Sequence, residues 1–262
     1  MNSAIAIPLK LTIFISSIFY PAAGTTVDYI PYNLVYELPN ILISEQTERL
    51  GETWRHGEVW DKPLINRFFS LMHNKTEPLV VLDVGAQTGS FTLLSKFMPA
   101  SQWYAFEPIQ EAADLLKGNL ELNEIQNVEV HPVAVSDRAG SVSLKLPIDA
   151  HWGLSTLGDT PLRFGVYSTR AVESIDLDTF ALNKGIKKVD FIKIDTEGWE
   201  LFVLRGAKEL IRRDKPTILM EFNRTNMEQC QVDPGDVLHM LYELDYEWTL
   251  VSSEDLLCTP RQ

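Results

Sequence analysis

From residue 78 onward, short apolar runs alternate with stretches of helical periodicity, a pattern that few folds accommodate. Residues 78–83, 103–106, 128–135, 191–194 and 217–220 read as strands, because each is brief, apolar and bounded by turn-forming or acidic residues. Residues 60–72, 112–122, 199–211 and 237–244 carry apolar side chains at helical spacing, as in Leu64, Ile65, Phe68, Phe69 and Met72. Strands separated by helices imply crossover connections, hence an α/β fold with a mostly parallel sheet and helices on both faces. Residues 141–175 interrupt the alternation. Gly140, Gly153, Gly158, Pro161 and Gly165 punctuate short strand-like runs there, which predicts a hairpin and a loop over one sheet edge.

The 262 residues suffice for one large domain, and the sequence divides into an extension over 1–60 and a domain over 61–262. A formal net charge of −13 disfavours a broad phosphate-binding face, so no nucleic-acid partner is expected. A small ligand remains compatible. Cys230 and Cys258 lie far apart, with no CxxC spacing, and imply no disulfide framework. Within residues 4–24 the apolar run from Leu11 to Gly24 is shorter than a bilayer span needs and is broken by Pro21. Three readings stay open for that segment: packing on the domain, a signal or membrane anchor, or a helix lying on a surface. The chain is expected in the cytoplasm, with membrane association through this segment left open.

The densest chemical signal runs from Val81 to Gly89. A strand that enters a glycine turn and then a helix brings backbone N–H groups close to a ligand. A dinucleotide fingerprint requires three glycines, whereas this turn offers Gly85 and Gly89. Asp83, ending the strand, would repel a pyrophosphate and suits a cationic ligand. The next strand ends at Glu107, placed to accept both hydroxyls of a ribose. The third leads to Ser136 and Asp137, where a carboxylate can accept an adenine amino group. The fourth leads to Asp195, Glu197 and Glu200 around Gly198, at the carboxyl edge where open α/β sheets bind ligands. The plainer reading of each, a tight turn or a solvated strand end, weakens as they accumulate at matching places.

Asp83-x-Gly85-Ala86-x-x-Gly89, then Phe106-Glu107-Pro108, then Ala134-Val135-Ser136-Asp137, resembles the cofactor site of class I S-adenosylmethionine (SAM) methyltransferases. The block Ser174-Ile175-Asp176-Leu177-Asp178-Thr179-Phe180, followed by Val189-Asp190-Phe191-Ile192-Lys193-Ile194-Asp195-Thr196-Glu197-Gly198-Trp199-Glu200, is similar to the FkbM family. The resemblance covers residues 78–250. It implies a Rossmann-like, doubly wound sheet, S-adenosyl-L-methionine as cofactor, and O-methylation of a hydroxyl on a sugar or glycan, a lipid or another natural product. It further implies that Asp83, Gly85, Ala86 and Gly89 belong to the cofactor site near the methionine part. Glu107 would hold the ribose, Ser136 and Asp137 the adenine edge, and Asp195 the amino group or the acceptor. The residues after Ser252 leave room for only a short closing hairpin.

A hydroxyl needs a proton acceptor as the methyl arrives. Asp195 and Glu197 are the leading candidates, since a turn at Gly198 lets one acid face the cofactor and the other the acceptor. His151 is the rival base, while His131, beside Pro132, reads as structural. Asp195, Glu221 and Asn223 match a magnesium trio only weakly, and no metal is expected. A nucleoside-binding domain without methyl transfer and an NAD-type oxidoreductase are the competing readings.

Overall fold

A computed structural model describes residues 27–30, 41–44, 62–73, 75–148, 152–159 and 166–261. His151 and the apolar segment 4–24 lie outside the described residues. Strands β1 (Val27–Ile30) and β2 (Ile41–Ser44) form a two-stranded antiparallel sheet of their own.

Helix α1 (Lys62–His73) leads into the main sheet. Strands β3 (Val80–Val84), β4 (Gln102–Phe106) and β5 (Val128–His131) run parallel. Helix α2 (Gln110–Leu122) makes the crossover between β4 and β5. A side sheet follows, formed by β6 (Ala134–Val135), β7 (Gly140–Pro147) and β8 (Tyr167–Ile175) in the order β6-β8-β7. Helix α3 (Leu177–Lys184) returns the chain to β9 (Phe191–Ile194), which pairs parallel with β3. Helices α4 (Glu200–Gly206) and α5 (Lys208–Asp214) precede β10 (Thr217–Glu221), parallel to β9. Helices α6 (Arg224–Gln229) and α7 (Pro234–Glu243) and the hairpin β11 (Tyr246–Leu250) and β12 (Asp255–Pro260) complete the domain. The seven-stranded order is β11-β12-β10-β9-β3-β4-β5, with β12 antiparallel to β10 and β11 antiparallel to β12. This is the doubly wound, Rossmann-like α/β arrangement.

Period-two alternation sends the two faces of the central strands into two cores. Leu82, Val84, Ile192, Ile194, Ile218 and Met220 pack with α4, α5 and α7. Val81, Trp103, Ala105, Phe191 and Leu219 pack with α1 and α2 on the other face. There Phe68 is fully buried and meets Phe91 and Phe191 edge-on, at ring separations of 5.5 and 5.9 Å. Truncating such an aromatic costs about 3–5 kcal/mol, so the face carried by α1 is integral to the domain.

Three elements differ from the sequence expectation. The strand expected over 128–135 divides at Pro132, which has no N–H to give a ladder. Its first part joins the main sheet and its second pairs with β8. The helix expected over 199–211 is two, broken at Ala207 (φ −114°, ψ 11°). The Asp178 carboxylate accepts from Glu209 N and Leu210 N at 3.1 and 2.7 Å, capping the second helix. Asp176 caps α3 through Thr179 N at 2.7 Å, so both acids of the Ser174–Phe180 block build structure. The closing hairpin is complete, with Tyr246 to Leu250 paired along β12.

Candidate active site

The carboxyl ends of β3, β4, β9 and β10 open into one cavity of about 340 Å³, roofed by residues of 152–157 and bordered by 252–255. The turn after β3 is held open by backbone. Gly85 N and Ala86 N both donate to Phe106 O at 3.0 Å. Gly85 adopts φ +79°, and a Cβ there would stand 1.8 Å from Asp195 O, so this crossing admits only glycine. The next N–H, of Gln87, is directed at the end of β4.

Glu107 lies there, 5% exposed. Its Oε2 accepts from Gln87 N at 2.9 Å and its Oε1 from Ile109 N at 2.8 Å. Burial pushes its carboxyl up to about 7; the two backbone donors and Lys193 oppose that rise. Asp83, 1% exposed, sits behind the cavity wall and accepts from Thr92 Oγ1 at 2.5 Å. Burial raises its pKa as well, with Lys193 pulling the other way.

Lys193 is the residue the sequence reading passed over. It is 5% exposed within an otherwise apolar strand, and that isolated charge was the available signal. Its Nζ donates to Gly85 O at 3.0 Å and pairs with Asp195 Oδ2 at 3.2 Å and Asp83 Oδ1 at 3.6 Å. Burial alone would lower its pKa, but the two carboxylates carry it above the ordinary lysine value. One ammonium thus ties the glycine turn to the end of β9.

Beyond Asp195 the chain reverses through Glu197 (φ +54°) and Gly198 (φ +102°). A Cβ at Gly198 would lie 2.0 Å from Asn226 O. A left-handed glutamate is costly and persists only where its surroundings impose it. Here Glu200, fully buried, accepts from Thr196 N, Thr196 Oγ1 and Gly198 N at 2.9, 2.9 and 3.2 Å. From the roof, Thr156 Oγ1 donates to Glu197 O at 2.9 Å, and Gln229 Nε2 does so at 3.1 Å.

Asn226 Nδ2 donates to both Glu197 Oε2 and Glu221 Oε1, at 2.7 and 2.8 Å. Burial, with Asp195, Glu197 and Glu200 nearby, holds the Glu221 carboxyl well above the usual range. Asn223 acts elsewhere, since its Oδ1 accepts from Thr225 N and Asn226 N and caps α6.

Of the residues singled out in the sequence, Gly85, Ala86, Glu107, Asp195 and Glu197 line the cavity together. Asp83 stands behind them. Gly89 closes the turn through its N–H to Ala86 O and packs where a Cβ would lie 2.6 Å from Leu116. Ser136 is buried and accepts from Trp199 Nε1 at 3.1 Å, whereas Asp137 is exposed. The neighbouring residues Val133, Ala134 and Val135 form the wall there. Among the described residues no helix is long and apolar enough to cross a membrane.

Residues 83–248 match the methyltransferase FkbM domain. The chain is similar to the 2-O-methyltransferase NoeI of Sinorhizobium fredii, 26% identical over 192 residues, spanning 68% of this chain and 76% of that protein. It is also similar to the methyltransferase sdnD of Sordaria araneosa, 27% identical over 183 residues, spanning 58% of this chain and 68% of that one. A solved structure of the methyltransferase FkbM from Methylobacillus flagellatus KT is 18% identical with a TM-score of 0.46, over 69% of this chain and 43% of that one. The family match spans the glycine turn, the acid that ends β4 and the carboxylates of β9 and β10, and the chain therefore belongs to the FkbM family of methyltransferases.

Proposed function

We propose that the methyl donor is S-adenosyl-L-methionine and that the acceptor is a hydroxyl of a small molecule, glycan or lipid. One observation carries this reading: the backbone of Gly85 and Ala86, the Glu107 carboxylate and the acids Asp195 and Glu197 line a single cavity. SAM supplies a sulfonium-bound methyl group as the electrophile. Each Glu107 oxygen already accepts one backbone N–H and keeps a lone pair, which suits a pair of ribose hydroxyls. The wall of Val133, Ala134 and Val135, next in the chain to Ser136 and Asp137, is assigned to the adenine end. The acid-rich remainder, with Asp83 behind it, favours the positive charge of a sulfonium and an ammonium.

Asp195 and Glu197 are assigned to the acceptor. Lys193 holds one Asp195 oxygen, which fixes the carboxylate while leaving its other oxygen to take a hydroxyl proton. Most of the remaining rate gain comes from alignment of acceptor oxygen, methyl carbon and sulfur within the cavity. O-methylation is favoured over transfer to other atoms by the similarity to a 2-O-methyltransferase. The test is incubation with methyl-labelled SAM and fractionated cell extract, followed by identification of the labelled product. A hydroxyl-borne label is expected. Absence of SAM binding in calorimetry overturns the reading.

A further inference from the structure

The roof crosses the cavity as a strap between the glycine turn and the carboxylate end. At one end Gly153 packs on the Gln87 side chain, and at the other Gly158 packs on the Gln229 carbonyl. Between them Leu154, Ser155 and Leu157 line the cavity, whereas Thr156 does not. Thr156 is 1% exposed, and its hydroxyl turns into the protein. Its backbone pairs with β7, since Lys145 N donates to Thr156 O at 2.8 Å and Thr156 N to Lys145 O at 3.1 Å. Its Oγ1 accepts from Gly158 N at 3.1 Å and donates to Glu197 O at 2.9 Å. One residue thus ties the roof to the side sheet and to the carboxylate loop.

Glu197 needs such a restraint. Its φ of +54° is costly for a residue with a Cβ and lasts only where neighbours impose it. Helix α6 supplies part of the restraint: Gln229 Nε2 reaches the same carbonyl at 3.1 Å, and Asn226 Nδ2 reaches the carboxylate at 2.7 Å. Thr156 supplies the contact from the roof. We propose that Thr156 is a positioning residue for methyl transfer, whose hydroxyl latches the roof to the Glu197 carbonyl. The latch sets the direction of the Glu197 carboxylate and the height of Ser155 and Leu157 over the acceptor. Thr156 acts through these neighbours, since it lies outside the cavity lining itself. The consequence for turnover rests on the assignment of Glu197 to the acceptor, whereas the latch does not. A displacement of about 1 Å can cost about 100-fold in rate. The cofactor end stays in place without the latch, because backbone N–H groups hold Glu107.

The test compares the parent with Thr156→Val, which keeps the shape and loses the hydroxyl, and with Thr156→Ser, which keeps the hydroxyl. The backbone pairing with β7 is open to all three. In Thr156→Val, amide hydrogen exchange at Gly158 and across 196–199 is expected to quicken by about fivefold or more, the worth of one neutral hydrogen bond. Thr156→Ser is expected to exchange like the parent. A general loss of stability would quicken exchange throughout the domain, so a change confined to these two segments marks the latch. With methyl-labelled SAM and the cell-extract fraction that the parent labels, Thr156→Val is expected to turn over at least about tenfold more slowly, at unchanged calorimetric affinity for SAM. Thr156→Ser restores turnover. Circular dichroism checks folding, and Thr156→Ala takes the place of Thr156→Val if that variant is unfolded. Unchanged exchange at both segments, parent-like turnover in Thr156→Val, or equal losses in Thr156→Val and Thr156→Ser overturn the proposal. A parent that transfers no methyl group in any fraction fails the methyl-transfer reading, and the exchange comparison alone then upholds or overturns the latch.

Discussion

At one end of the cavity Glu107 is held by the backbone N–H groups of Gln87 and Ile109; at the other, Glu197 and Glu221 share the single amide of Asn226. The first end is rigid because its donors belong to the turns after β3 and β4, and both Glu107 oxygens are satisfied before any ligand arrives. The second end depends on side chains and leaves Glu221 Oε2 without a described donor. Backbone donors cannot be exchanged without changing the fold, so the first end is suited to an invariant ligand part such as a ribose. Side chains on α6 and in the loop after β9 can change while the sheet persists, which suits the proposed acceptor end. Lys193 joins the two ends, touching the glycine turn on one side and Asp195 on the other.

Removing that joint has the largest expected effect. In Lys193→Met the fully buried Asp83 loses its counter-charge, and loss of one partner of a buried pair costs about 3–5 kcal/mol. Urea denaturation of the parent and variant measures it. A loss below about 1 kcal/mol, the value of an exposed pair, would show that the two ends are not joined through this lysine.

Next in size is the pH response of the rigid end. Glu107 rises from an ordinary 4.5 to about 7 in the folded chain. The folded state therefore holds its proton where the unfolded state has released it, and the Glu107 contribution to stability declines as pH rises from 4.5 to 7. The full span is worth at most about 3 kcal/mol. Stability of the parent relative to Glu107→Gln is expected to fall across that window and level off above it. A flat difference from pH 4.5 to 8 would mean that the backbone donors outweigh burial, and that this end is fully prepared for an ionised carboxylate.

Glu107→Ala is expected to weaken SAM binding by about 10- to 150-fold, the span for a charged hydrogen-bond acceptor. Calorimetry giving the parent's affinity would remove the ribose from this end. At the other end, Asp195→Asn is expected to remain folded and lower turnover by at least about tenfold, with His151→Ala doing less. Normal turnover in Asp195→Asn together with a dead His151→Ala would make His151 the base.

Much of this was legible in the residue order. Alternation of apolar runs and helical spacing is a local property, and it sufficed for the parallel sheet, its two cores and the carboxyl edge where Gly85, Glu107, Asp195 and Glu197 meet. Local rules also account for the hairpin of β7 and β8, whose glycines and prolines mark it. The contacts that turn an edge into a site are between residues far apart in the chain. Asn226 bridges Glu197 and Glu221 from a six-residue helix that periodicity could not reveal. Asn223 and Asp178, polar residues open to several uses, were committed to helix caps by the neighbours they met. Ser136 and Asp137 stand just past Ala134 and Val135, which line the cavity, and are not part of the lining themselves. Sequence periodicity reports which face of an element is apolar; it carries no information on the angle at which two such elements cross. Nor does it carry the strand register, which set Lys193 opposite Asp83 on the neighbouring strand and two residues before Asp195.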